Sequence, residues 1–531
     1  MGPLQLGLLA TAGVLGALLA AGQLLRLLFP LPPLPPRPDS RALDGADTRL
    51  GRALGAAAAD HPGKSGVLLL SDGYEAFAAR GALARLAERS LDLQYYIWHG
   101  DVSGLLLLGE LLAAADRGVR VRLLLDDNGT TGLDRELAAL DQHPLIELRL
   151  FNPFVIRRPK AVGYIMNFRR LNRRMHNKAF IADGSTAVIG GRNVGDEYFG
   201  ASAESLFEDL DLLGVGPVVA ALAADFDRYW VARSSYPLGA ILPPAAPGAL
   251  EAVRAELAAA AQGPLAADYT KAIRSNVAEQ LVRGEPPAFE WTDVAMLSDD
   301  PAKGEGAVAE TDLLASRLIA RVGKPDKRLS LVSAYFVPGN DGCAALANLA
   351  REGVEVDVMT NALEATDVAA VHAGYARHRA ALLAAGVRLW ELKAAPGGRA
   401  RLRLGIGSGP RGGGSRPVVV ASGSSLHAKT FAVDGERLFV GSFNFDPRSV
   451  ALNTELGFLV DSGRMAGALH QAFDAGFGAR AYAVRLAEGG GLCWVEQTEA
   501  GDVVHHREPG TRLHQRALVG FLALLPFEWL L

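Results

Sequence analysis

Cysteine is almost missing from this chain: Cys343 and Cys493 are the only two in 531 residues. That excludes a disulfide framework and a cysteine-ligated zinc site, and it favours two separate thiols over one bridge. An excess of charge is missing too. Lys and Arg number 54 against 58 Asp and Glu, a net charge of −4, so no general basic field advertises nucleic acid as a partner. No dense carboxylate loop of the calcium type occurs, and neither a metal nor a cofactor is expected. Histidine is also scarce, at 11 residues, so a patterned pair of them carries information.

Such a pair is present. Met175 to Asn193 reads MHNKAFIADGSTAVIGGRN, and Leu426 to Asn444 reads LHAKTFAVDGERLFVGSFN. Both follow H-x-K-x4-D-x6-G-(G/S)-x-N, matching His176, Lys178, Asp183, Gly190 and Asn193 to His427, Lys429, Asp434, Gly441 and Asn444. Ordinary residue usage gives such a match a chance of about 10⁻⁷ per starting position. The apolar run between Asp and Gly predicts a strand, then a Gly turn and a helix start. That turn would offer the backbone of Gly191 and Ser442 to an anion, beside the amides of Asn193 and Asn444. His and Lys two apart share one face of a strand. One copy therefore gathers groups suited to a phosphate. Two copies supply two imidazoles, the minimum for phosphodiester exchange through a covalent intermediate. One attacks phosphorus; the other protonates the departing alkoxide and then deprotonates the incoming alcohol or water. Lys178, Lys429, Asn193 and Asn444 would hold the non-bridging oxygens.

With these motifs the chain resembles the phospholipase D superfamily, whose signature is the paired HKD motif, from about Tyr74 to the C-terminus. Within it the chain is most similar to the bacterial cardiolipin synthase branch, its C-type members above all. YYIWHGD (Tyr95 to Asp101), SAYFVPG (Ser333 to Gly339), GSFNFDPRS (Gly441 to Ser449) and LNTELG (Leu452 to Gly457) carry that closer likeness. The resemblance implies two pseudo-twofold-related α/β domains with one active site at their interface. It makes His176 the nucleophile and His427 the general acid and base, although internal symmetry leaves the reverse open. It makes Asp183 and Asp434 structural, and it calls for an acidic residue after each motif to orient the opposite half's His. Aligning DLL with ELG selects Asp211 and Glu455, with Asp209 the competing choice. The implied reaction is phosphatidyl transfer on membrane phospholipid, specifically cardiolipin synthesis with phosphatidylglycerol or a similar lipid as donor and acceptor. The setting would be the bacterial inner membrane, with room for an accessory membrane protein. A hydrolytic phospholipase D and a nucleic-acid phosphodiesterase are the alternatives. A decayed, non-catalytic tether is disfavoured because all ten motif positions are intact.

The apolar run Leu4 to Leu25 is long enough to span a bilayer. A retained anchor is preferred to a cleaved signal peptide, because no Lys or Arg precedes the run. Arg26, Arg37 and Arg41 follow it and leave the leaflet open. The expected division is an anchor over 1–29, a Pro/Ala-rich linker over 30–62 with a stiff Pro30 to Pro38, and a first α/β domain over 63–236. A connector over 237–301, a second domain over 302–485 and a tail over 486–531 complete it. The tail's apolar end would pack in the core or lie at a membrane interface. Strand–helix–strand order predicts parallel crossovers in each half. Asp126 and Asp127 read as a solvated turn sooner than a site, His99 as a loop residue, and His372 and His378 as a helix surface. Arg157 to Arg174 carries seven Arg and Lys among Tyr164, Met166 and Phe168, fitting headgroup contact and a paired loop equally. Arg399 to Arg416 reads as a mobile insertion or lid.

Overall fold

Residues 2–34, 41–200, 209–272, 276–394, 426–526 and 528–531 are described by a computed structural model. The insertion Arg399 to Arg416 and the end of the proline spacer lie outside the described residues.

Two mixed sheets carry the two halves, of nine and ten strands. In the first, Ser90–Ile97, Arg120–Gly129 and Ile146–Phe151 run parallel. Helices Val102–Asp116 and Asp134–Leu140 make the crossovers that parallel neighbours require. Beside Ser90–Ile97 lies the motif hairpin, Ala179–Ala182 with Thr186–Gly190, followed by Asp211–Val215, all antiparallel. The second sheet repeats this strand for strand. Arg328–Ser333, Glu355–Asn361 and Arg388–Leu392 are parallel, and Lys429–Val433, Arg437–Gly441 and Leu456–Asp461 follow in the same order.

The motif Asp-Gly pair makes each hairpin turn. Asp183 and Gly184 have φ of 52° and 59°, and Asp434 and Gly435 have 56° and 70°. A tight turn with both central residues left-handed suits Asp and Gly.

The stretch read as a connector ends in two strands. Glu290–Thr292 pairs with Ser65–Leu70 at the edge of the first sheet, and Val294–Ser298 pairs with Leu456–Asp461 in the second. Strands of three and five residues are too short to show a period. The tail begins with a hairpin, Leu492–Thr498 with Gly501–His505, that widens the second sheet. Its helix Leu513–Leu522 buries Val519 and Leu522 against Val368 and Ala369 but leaves Leu513 and Phe521 exposed.

One apolar core crosses the seam, with Met175, Ile189 and Trp230 among Val332, Val440 and Phe458. Cys343 and Cys493 are buried separate thiols. The expected span falls in helix Pro3–Leu28, yet among the described residues no helix is long and apolar enough to cross a membrane. The end of that helix rests on helix Ala161–Leu171. Arg26 Nε donates to Met166 O at 2.5 Å, and a Cβ at Gly22 would come 2.5 Å from Ile165 O.

Candidate active site

The two halves exchange carboxylates across the seam. His176 enters just before its strand, its N–H bonded to Thr454 O and the Thr454 N–H to Arg174 O, each at 2.9 Å. Its Nδ1 lies 2.9 Å from Glu455 Oε2, 3.1 Å from Glu455 Oε1 and 3.1 Å from Ser442 O. All three are acceptors, so Nδ1 carries the proton and the neutral ring keeps its lone pair on Nε2. His427 Nδ1 lies 2.7 Å from Asp209 Oδ2.

Glu455 therefore stands where the alignment put it. Asp211 does not. Its Oδ2 takes Arg80 Nη2 at 2.9 Å and its Oδ1 the Arg192 N–H at 3.2 Å, in a fully buried cluster. The ladder explains the shift. Gly191 N–H bonds Leu210 O, and Ser442 N–H bonds Leu456 O, so Leu210 matches Leu456 and Asp209 matches Glu455. The first half spells D-L twice, and the alignment took the second copy.

The same two bonds overturn the expected anion cradle at Gly191 and Ser442, because both N–H groups are spent on the sheet. Ser442 Oγ donates to Glu455 Oε2 at 2.5 Å and accepts Leu456 N–H at 2.9 Å. Gly191 is needed for clearance, since a Cβ there would sit 2.0 Å from Asp209 Oδ1. The helix starts come later than expected, at Asp196–Phe199 and Pro447–Ala451.

The remaining motif side chains converge. Lys178 Nζ donates to His176 O at 2.5 Å, and Lys429 Nζ likewise to His427 O. Asn193 Oδ1 accepts Ile97 N–H at 3.2 Å, while its Nδ2, like Asn444 Oδ1, is buried with no hydrogen-bond partner. Asp183 takes the N–H groups of Glu88, Arg89 and Ser90, and Asp434 those of Asp326, Lys327 and Arg328. These two carboxylates tie the hairpin turn to the start of the neighbouring strand, away from either imidazole.

Electrostatics separate the two His. Burial, then Lys178, Lys429 and His427, push His176 well below its ordinary value. Burial and Lys429 lower His427 as well, but Asp209 pulls against them. Asp209 is held below the usual carboxylate range by His427, against its own burial. Glu455 is pushed up to about 7 by burial, with Lys178 opposing. Burial also lowers both lysines. The His176 side chain is 6% exposed and that of His427 28%.

Several supporting residues had no sequence signal. The Tyr96 ring meets His176 edge-on at 4.9 Å, and Tyr198 meets His427 at 5.0 Å. Asp126 is not a solvated turn: it is buried, grips Arg174 with both oxygens and takes the Met175 N–H at 2.8 Å, fixing the approach to His176. Asp127 is buried too, paired with Arg157 and Lys160. Asp299 accepts the Glu455 N–H at 2.9 Å and Lys303 Nζ at 2.8 Å. His372 and His378 are buried against Glu508 and Glu528 of the tail, not on a helix surface. Among the described residues, His99, Asp101 and Glu197 form one group close enough to hold a cation. Its carboxylates are already engaged, Glu197 with His99, and Asp101 with the N–H groups of Gly104 and Asp196.

The family model "Cardiolipin synthase, PLD-like domain" matches residues 82–230 and 318–476, one segment around each motif. Cardiolipin synthase C of Escherichia coli K12 is 46% identical over 485 residues, 91% of this chain and 100% of that one. The chain belongs to the cardiolipin synthase branch of the phospholipase D superfamily. An uncharacterized protein of Helicobacter pylori 26695 is 31% identical over 76% of this chain and 77% of its own. The crystal structure of phosphatidylserine synthase from Haemophilus influenzae Rd KW20 shares the fold, with a TM-score of 0.53 at 13% identity, covering 91% of this chain and 100% of that one. The two segments matched by the family model each contain one of the two motif hairpins.

Proposed function

We propose that this enzyme is a membrane-associated phosphatidyltransferase that makes cardiolipin through a phosphohistidine. One observation carries the reading: each imidazole has its Nδ1 held by a buried carboxylate of the opposite half, which leaves both Nε2 atoms as the reacting positions. The neutral His176 is the nucleophile. Its Nε2 attacks the donor's phosphorus while protonated His427 gives its proton to the leaving glycerol oxygen. His427 then takes the proton of the acceptor hydroxyl, whose oxygen attacks phosphorus and frees His176. Lys178, Lys429, Asn193 and Asn444 bind the non-bridging oxygens, and Glu455 and Asp209 position the rings. Gly191 leaves clearance for Asp209, Ser442 holds Glu455, and Asp183 and Asp434 hold the hairpins. No step calls for a metal.

Phosphatidylglycerol or a similar lipid as donor and acceptor is the substrate pair this reading adopts from the sequence resemblance, and the inner membrane is the matching location. Helix Pro3–Leu28, with Leu19 and Leu27 exposed, is the membrane anchor in this reading, and the two sheets define the two catalytic domains. Lipid mass spectrometry of a cardiolipin-free bacterial strain tests the reaction. Cardiolipin should accumulate with the parent protein and not with His176→Ala. Phosphatidic acid in its place would make the enzyme a hydrolase, and no change in either lipid would refute phosphatidyl chemistry.

A further inference from the structure

Of the seven cations in the basic stretch, Arg157, Lys160 and Arg174 are spent on Asp127, Asp134 and Asp126. Arg169 and Arg170 are not: among the described residues no ion pair holds either. They line an open cavity of about 480 Å³ together with Asn167, Arg233, Tyr236 and Glu305. Among the described residues Glu305 is the only carboxylate in that wall, and it approaches Arg233 Nε no closer than 4.0 Å. Three guanidinium groups thus face one carboxylate. Arg170 Nη2 donates to Pro153 O at 2.8 Å, but its buried Nε has no hydrogen-bond partner. Burial and the neighbouring Arg174 lower Arg170 to about 10, with Tyr236 and Asp127 opposing. The helix that carries both arginines breaks at Asn167, whose φ of −152° and ψ of 67° are not helical. None of His176, Lys178, His427 and Lys429 lines the cavity.

We propose that this cavity binds the phosphodiester headgroup of an anionic phospholipid as a second, non-catalytic lipid site. The donor set fits a phosphate, whose oxygens would take the spare Nε of Arg170 and the exposed guanidinium groups of Arg169 and Arg233. Its surroundings select a lipid over a free anion. Ile165 and Phe168, on the same short helix, are 46% and 43% exposed, and the helix packs against Pro3–Leu28, with its exposed Leu19, Leu24 and Leu27. Arginines beside outward apolar side chains at the foot of an apolar helix are what a bilayer interface selects. The net charge of −4 argues against a polyanion. The site would hold the catalytic seam at a fixed height over lipid enriched in its own substrate class.

The test titrates the full chain in neutral detergent, carrying His176→Ala to prevent turnover, with dihexanoyl phosphatidylglycerol and, in a parallel arm, with inorganic phosphate. Two classes of lipid site are expected. Arg169→Gln combined with Arg233→Gln should weaken one class about 30-fold, roughly fivefold per guanidinium, and leave the other unchanged. With His176 intact, the same pair of substitutions should preserve kcat on the short-chain lipid and raise the half-saturating amount of vesicle-borne lipid. A single class of lipid site, or two classes that ignore the substitutions, overturns the proposal. Equal affinity for inorganic phosphate overturns its assignment to lipid. Absence of turnover by the parent enzyme on every substrate would count against the proposed reaction and leave these stoichiometries as they are, whereas loss of kcat in the paired variant alone would overturn the non-catalytic assignment.

Discussion

His176 and His427 occupy equivalent places in equivalent hairpins, yet their surroundings are not equivalent. His176 is almost fully enclosed, loses its proton readily among three nearby cations, and leans on a glutamate whose own pKa is pushed up to about 7. His427 is more open and faces an aspartate that stays ionised. A duplicated fold supplies two copies of one tool, and in the proposed mechanism small differences in burial and carboxylate strength divide them into a nucleophile and an acid.

The sharpest way to break that comparison is to remove each imidazole in turn. His176→Ala should abolish the covalent intermediate and lower transfer by about 10⁴-fold or more. His427→Asn should slow transfer by about 10²- to 10⁴-fold but still allow label from a phosphorus-labelled donor to accumulate on His176. Acid-quenched labelling with peptide mapping checks this, and label on His427 in the His176 variant would reverse the roles.

A middle-sized effect separates the two aspartates. Asp209→Asn should cost about 10- to 100-fold in kcat with little change in melting temperature, because it frees the His427 ring. Asp211→Asn should instead strand the buried Arg80 and cost roughly 3 kcal/mol of stability, with the pH profile of the surviving activity unchanged. Thermal melts and kcat measured on the same preparations check the pair. An altered pH profile in the Asp211 variant would restore it as a partner of His427.

The hairpins, the parallel crossovers and Glu455 were legible because each rests on local pattern: a repeated motif, a period, a residue at a strand start. Asp209 was not, because D-L-D-L offers two registers, and it takes the strand ladder and the buried Arg80, 131 residues from Asp211, to tell which aspartate reaches His427. The anion cradle failed for a related reason. Whether Gly191 and Ser442 keep their N–H groups depends on how far the ladder runs, and that is set by the partner strand. Asp126 misled in the other direction, since a D-D-N-G string looks like a turn until Arg174 is seen to fold back on it. Contacts between distant segments decide all three.

The smallest predicted effect concerns pH, and its sign differs for the two members of one pair. His176 is depressed in the fold, so the unfolded chain takes up its proton first and stability falls as pH drops below 6.5. For the same reason the acid limb of transfer should lie below pH 6.5. Glu455 is raised, so its contribution is complete below its ordinary 4.5 and is lost as pH rises through about 7. Glu455→Gln keeps the neutral form and removes only that second term. The melting temperature of this variant relative to the parent should therefore improve steadily between about pH 5 and about pH 8. Asp209→Asn, which removes a carboxylate that is ionised throughout, should show no such trend over the same range. A flat difference for the glutamine variant would mean that the two carboxylates are alike, and the division of labour between the imidazoles would then need another cause.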